Sequence, residues 1–215
     1  MTEKTDDVIE ASYHEKLKSE DVVDWCRPLV ENGGYQVRFG DGKIVAPMVA
    51  MFHDPPWHHV VQGDDRDCTL QTRVLWKTVF VRLDKPKWVP SYCHECWKVV
   101  CRPPTLLGLF ALEKIQQRLG YSCKCGVEKR PWVSGNYGGY WYTSSLAEGK
   151  RRYAEVRKAV DEDPVLGENV PVLLKRGCTE FEMKCGPSDQ WKVEPAQEHV
   201  EELVKRYVDT SVNFS

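Results

Sequence analysis

The chain has 215 residues, 41% hydrophobic and 29% charged, which is the composition of a folded globular protein rather than a disordered one. No apolar run approaches the roughly 20 residues a bilayer demands, and the acidic opening MTEKTDDVIE lacks the basic-then-apolar order of a signal peptide, so a cytoplasmic protein without a membrane partner is expected. The net charge of −2 conceals a segregation: residues 70–158 carry 17 Lys and Arg against 6 Asp and Glu, and the remainder 13 against 26, an asymmetry that suits a polyanion-facing middle.

In chain order, residues 1–18 read as a polar N-terminal tail. Ser19 then caps a helix in which Val22, Val23, Trp25, Cys26, Leu29 and Val30 recur at helical spacing, with Pro28 expected to kink or shorten it. YQVRF and KIVAPMVAMF flank Gly40-Asp41-Gly42, a hairpin signal because the turn needs residues that tolerate positive φ. Leu70–Leu83, rich in β-branched and aromatic residues, predicts a long strand. Two prolines and Gly120 bound a predicted helix from Thr105 to Leu119. Ser145 with Glu148 forms a capping box opening a helix through Val160. VPVLLKRG and TEFEMK read as strands, and PAQEHVEELVKRYVD as a closing amphipathic helix. With no repeat and no linker, the expectation is an α+β fold, a single mixed domain over 19–215 with a zinc-bearing insertion at about 91–130.

The insertion is inferred from cysteines. Nine in a chain without a signal peptide suit reduced thiols and metal ligands better than disulfides. Cys93 and Cys96 in CHEC, and Cys123 and Cys125 in CKCG, read as two half-sites for one structural zinc ion, bracketing the 105–119 helix. His94 and Cys101 stand close enough in sequence to replace one ligand. The alternative is ordinary buried thiols.

Around the second pair, Arg130, Trp132, Tyr140, Trp141, Lys150, Arg151 and Arg152 mix cations that neutralise phosphates with rings on which bases stack. The competing reading is a sheet whose aromatics fill the core beside a solvated helix. HDPPWHHVVQGDD gathers His53, Asp54, His58, His59, Asp64 and Asp65, but without a register that puts two on one helical face it reads as a polar surface turn. Glu180 and Glu182 alternate on the predicted TEFEMK strand and would share a face, which makes them an acid/base candidate. With YTSS at Tyr142–Ser145 upstream, this Glu-x-Glu arrangement resembles that of ADP-ribosyltransferases, which implies a nucleotide-modifying enzyme.

The leading expectation is a zinc-stabilised nucleic-acid-binding or accessory protein. The alternatives are a nucleotide- or nucleic-acid-modifying enzyme using Glu180 and Glu182, and a protein-interaction module that uses the aromatics as anchors for a protein partner.

Overall fold

β-branched and aromatic residues alternate through the middle of the chain, and in the computed structural model they build a five-stranded antiparallel sheet. The structure describes residues 16–17, 19–31, 36–37, 40–45, 57–61 and 72–208. Two compact units result, one from Met1–His53, Arg66–Ser91 and Glu180–Ser215, the other from Asp54–Asp65 and Tyr92–Thr179. Helix and antiparallel sheet are mixed within the chain, an α+β arrangement.

In the first unit, α1 spans Ser19–Glu31 and contains Pro28 without ending there. β1 (Gln36–Val37) and β2 (Ile44–Val45) pair antiparallel across a turn in which Gly40 and Gly42 take φ of 120° and 69°. The described part of the run expected as a strand over 70–83 is instead helical. A wide, π-type segment spans Thr72–Val79 and continues as α2 (Phe80–Arg82). Its buried residues explain why: Leu75, Val79 and Leu83 recur every fourth position, as do Trp76 and Phe80, so the helical period overrides the strand propensity of the residue types. α5 (Thr179–Cys185) and α6 (Gln197–Val204) complete the unit. Phe181 packs edge-on against Trp76 and Trp191, with ring centroids 4.6 and 6.1 Å apart.

The second unit holds β3 (Trp57–Val61), β4 (Trp97–Cys101), α3 (Leu106–Leu119), β5 (Cys123–Val127), β6 (Tyr137–Thr143), α4 (Leu146–Asp161) and β7 (Val172–Arg176). The helix ends follow the signals in the sequence. Thr105 Oγ1 accepts from the Gly108 amide at 3.0 Å, Gly120 ends α3 in the left-handed region with φ 66°, and Ser145 Oγ accepts from the Glu148 amide at 3.2 Å.

The strands lie in the order β3-β5-β6-β4-β7. From β4 onward the chain runs β-α-β-β-α-β, with the first and third strands central and the fourth beside the first, which is the split β-α-β or ferredoxin-like arrangement; β3 extends it beyond β5. The segment around 91–130 supplies β4, α3 and β5 of this sheet. α3 and α4 cover one face, where Leu112, Ile115, Val156 and Val160 pack with Val99, Cys101, Cys123 and Trp141. Glycine sets how near the helix comes, because a Cβ on Gly139 would stand 2.6 Å from Leu112 Cδ2.

Candidate nucleic-acid interface

The two-residue period of the strands sorts the candidate residues onto two faces. Val99 pairs with Trp141, and Trp141 with Cys123, so these three share the helix-covered side. Their neighbours belong to the other side: Lys98 on β4, Lys124 on β5, Tyr140 and Tyr142 on β6, and Lys175 on β7. On β3, Trp57 pairs with Gly126 and His59 with Lys124, which brings both onto this open face.

The aromatic residues there are half-exposed and in contact with cations. Trp57 meets Tyr140 edge to face, with centroids 5.3 Å apart and planes at 76°. Gly126 and Gly138 pair beside Trp57 and carry no side chain, which leaves room for the ring. Lys124 Nζ lies 5.4 Å from the Trp57 ring and Lys98 Nζ lies 5.5 Å from the Tyr142 ring, within range of cation–π attraction. Lys98 and Val100 are buried, so the accessible part of the face is its β3-β5-β6 half.

A polar network borders this half. Glu128 Oε1 accepts from the Arg130 amide at 3.0 Å and from its Nε at 2.8 Å, while Oε2 accepts from Arg130 Nη2 at 2.6 Å and from the Tyr140 hydroxyl at 3.1 Å. Burial alone would raise the Glu128 carboxyl, but the hydrogen bonds and charge of Arg130, with the Tyr140 hydroxyl, outweigh it and hold the group below its ordinary range. Burial, then the Glu128 charge, push the Tyr140 phenol up to about 12. Arg130 is thereby held as a planar, preoriented cation beside the rings.

The residues expected to form one nucleic-acid patch are divided. Tyr140 lies on the open face and Arg130 beside it. Trp141 has no exposed surface and points into the core under α3 and α4, so it cannot stack on a base; its neighbours Tyr140 and Tyr142 hold the accessible positions. Trp132 is 48% exposed in the turn before β6. Lys150, Arg151 and Arg152 lie on α4, behind the sheet, where Arg152 sits 3.0 Å over the Tyr121 ring and bonds Glu148 Oε1 at 3.0 Å.

The zinc quartet is likewise not brought together. Cys96 directly precedes β4, and Cys123 is two strands across and three residues along, a backbone separation of roughly 14 Å at about 4.8 Å per strand and 3.3 Å per residue. Cys123 and Cys125 face the helix-covered core, and burial pushes the Cys125 thiol up to about 12, with the Glu113 and Cys123 charges adding to it. Cys101 is also core, its thiol pushed by burial to about 12. Among the described residues, no three His, Cys, Asp or Glu side chains are grouped so that they could hold a metal ion.

Glu180 and Glu182 lie on α5, not on a strand. Residues two apart on a helix project roughly 200° apart, so the two carboxylates do not share a face, which removes the basis of the Glu-x-Glu resemblance. The helix forms because Gly177, at φ 59°, ends β7, after which acidic residues suit a first helical turn and Phe181 anchors it. Of the histidine-rich segment, His58 and His59 fall on β3 rather than on a turn, and His58 Nδ1 lies 2.9 Å from Glu113 Oε1. His53, Asp54, Asp64 and Asp65 lie outside the described residues.

Sequence reasoning does not single out Trp57 and Lys98 as site residues, and it places Lys175 beside Glu180 and Glu182 rather than on this face. The available signal was alternation: GGYWYT sorts into 138, 140, 142 against 139, 141, 143, and WHHVV has strand composition. Comparison of the chain with protein-family models, curated proteins and solved structures finds no match, so the split β-α-β assignment stands on strand order alone.

Proposed function

We propose that the protein binds single-stranded nucleic acid on the open face of its sheet, with Trp57, Tyr140 and Tyr142 as the stacking surfaces and Lys124 and Arg130 as phosphate partners. The observation that carries this reading is the gathering of three half-exposed rings from β3 and β6 on one face of a split β-α-β sheet, next to lysines. Sheets of this kind serve RNA-recognition domains as platforms on which two or three bases stack on strand aromatics. Stacking tolerates any base because every base has a π-face, so the expected preference is for unpaired strands rather than for a sequence.

Anisotropy of a labelled single-stranded oligonucleotide tests it. Tyr140→Ala, Tyr142→Ala and Trp57→Ala should each weaken binding by about 1–3 kcal/mol, while Tyr140→Phe, which keeps the ring, should bind nearly as the wild type does. Lys150→Ala with Arg151→Ala, behind the sheet on α4, should leave affinity unchanged. No binding at low salt, or aromatic variants that bind like the wild type, would refute the platform.

A further inference from the structure

The two edges of the sheet are finished differently. β3, at one edge, is broken by a register shift between His59 and Val61, and irregularities of that kind keep a strand edge from templating another strand. β7, at the other edge, pairs with β4 in unbroken register, and each of its residues keeps some exposure. Which of its backbone groups face outward follows from the ladder. The Gly177 amide donates to the Cys96 carbonyl at 2.7 Å and the Arg102 amide to the Pro171 carbonyl at 3.0 Å, so both of these opposed pairs are hydrogen-bonded. Hydrogen-bonded pairs alternate with non-bonded ones in an antiparallel ladder, which turns Leu173 and Lys175 toward β4 and the N–H and C=O of Val172 and Leu174 away from it. Beside that edge lies an open, mostly apolar groove of about 530 Å³, lined by Lys150 and Tyr153 of α4 and by Val172, Leu173 and Leu174.

We propose that β7 is a docking edge for an extended segment of a partner protein, one that adds a strand to the sheet and carries apolar residues at every second position with acidic residues between them. The outward amides and carbonyls specify the extended backbone, because a strand presents acceptors and donors at the matching two-residue period. The side chains specify the rest. Val172 and Leu174 stand opposite Cys101 and Val99, hence on the helix-covered side, where both pack against the core. Alternate residues of an added strand would lie beside them in the groove next to Tyr153, and burying apolar groups there contributes affinity. The intervening residues would fall on the open side, beside Leu173 and Lys175. With Lys150 lining the groove, Lys175 and Arg176 on the strand and no acidic residue on β7, the cations favour carboxylates in the partner segment. A second copy of this chain fits less well for the same reason. A Cβ on Gly149 would stand 2.9 Å from Leu174 Cδ1, so the start of α4 packs against the middle of β7 and Lys150 lies level with it. Pairing two copies about that point would turn like charges toward each other.

Selection from a display library of random short peptides on the immobilised full-length chain tests the edge. Enriched peptides should alternate apolar and acidic residues. Residue-resolved hydrogen exchange of the full-length chain needs no substitution: the synthetic peptide should slow the Val172 and Leu174 amides, while those of Leu173 and Lys175, already turned to β4, change little. N-methylation of the peptide at every second amide should abolish binding in one phase of the alternation and spare it in the other, because only one set of amides faces β7. Tyr153→Ala should weaken the peptide about tenfold, with Tyr153→Phe keeping most of the affinity. Absence of enrichment, protection at amides elsewhere, indifference to N-methylation, or a chain that dimerises and protects Val172 and Leu174 by itself would each overturn the proposal.

Discussion

Adjacent side chains on β6 have opposite fates, and that decides which of them can act. Tyr140 and Tyr142 carry half-exposed rings, whereas Trp141 between them is sealed beneath two helices. Gly139, next to it, marks how tightly that seal is packed. Gly139→Ala would place a methyl 2.6 Å from Leu112 Cδ2 and 3.1 Å from Gln116 Nε2, and should destabilise the protein by about 1–3 kcal/mol, the usual cost of overpacking; denaturant midpoints would measure it. Glu128 supplies a pH signature. Its carboxyl is depressed in the folded state, so its contribution is fully present above the ordinary carboxylate pKa of about 4.3 and is lost as pH falls through the lower folded value. Glu128→Gln should therefore destabilise the chain at neutral pH, by about 1–3 kcal/mol for the weakened bonds to Arg130 and Tyr140. The gap between the variant and the wild type should narrow below about pH 4. Urea unfolding from pH 7 to pH 3 reads this directly, and a gap that widens toward acid would contradict the assignment.

At the scale of elements, the local chemistry of helix ends was strong enough to be read correctly. Ser145 and Glu148 begin α4 as a capping pair. Glu148 Oε2 also accepts from the Ser144 amide at 2.9 Å, and that bond leads the causes that hold its carboxyl below the ordinary range. Ser145→Ala should cost about 1 kcal/mol by removing the acceptor for the Glu148 amide, with Ser145→Asp restoring most of it in a thermal melt. Misread elements share one cause. Residue type and a short period suggest strands at Leu70–Leu83 and TEFEMK, but Thr72–Arg82 is helical with Leu75, Trp76, Val79 and Phe80 buried at helical spacing, and Thr179–Cys185 is helical with Phe181 packed against Trp76 and Trp191. Propensity is a weak prior, and packing overrides it.

For the whole molecule, the charge segregation along the chain does not survive folding into units. The second unit, Asp54–Asp65 with Tyr92–Thr179, carries 14 Lys and Arg against 12 Asp and Glu, so it is nearly balanced. What remains is local: Lys124 and Arg130 on or beside the accessible half of the open face. About two phosphate contacts on a single strand imply a slope of log affinity against log salt near −1.4. Titrations from low to physiological salt would measure it. A slope several times steeper would mean that the α4 cations or further basic residues also take part.

The capped helices, the hairpin turn, the mixed α+β class and the presence of aromatics and cations in the middle of the chain are properties of local sequence, because caps, turn glycines and residue types act within a few residues of themselves. Which aromatics are accessible, and which cysteines are neighbours, depends instead on strand order. Cys123 follows Cys96 closely enough in sequence to look like its partner, yet two strand spacings separate them. Cys178, more than 80 residues beyond Cys96, lies beside it because β7 pairs with β4. Register in an antiparallel sheet is settled by which faces bury apolar side chains across all its strands at once. A spacing rule read along one chain has no access to that, so the face of each residue and the neighbours of each thiol were determined by the tertiary structure.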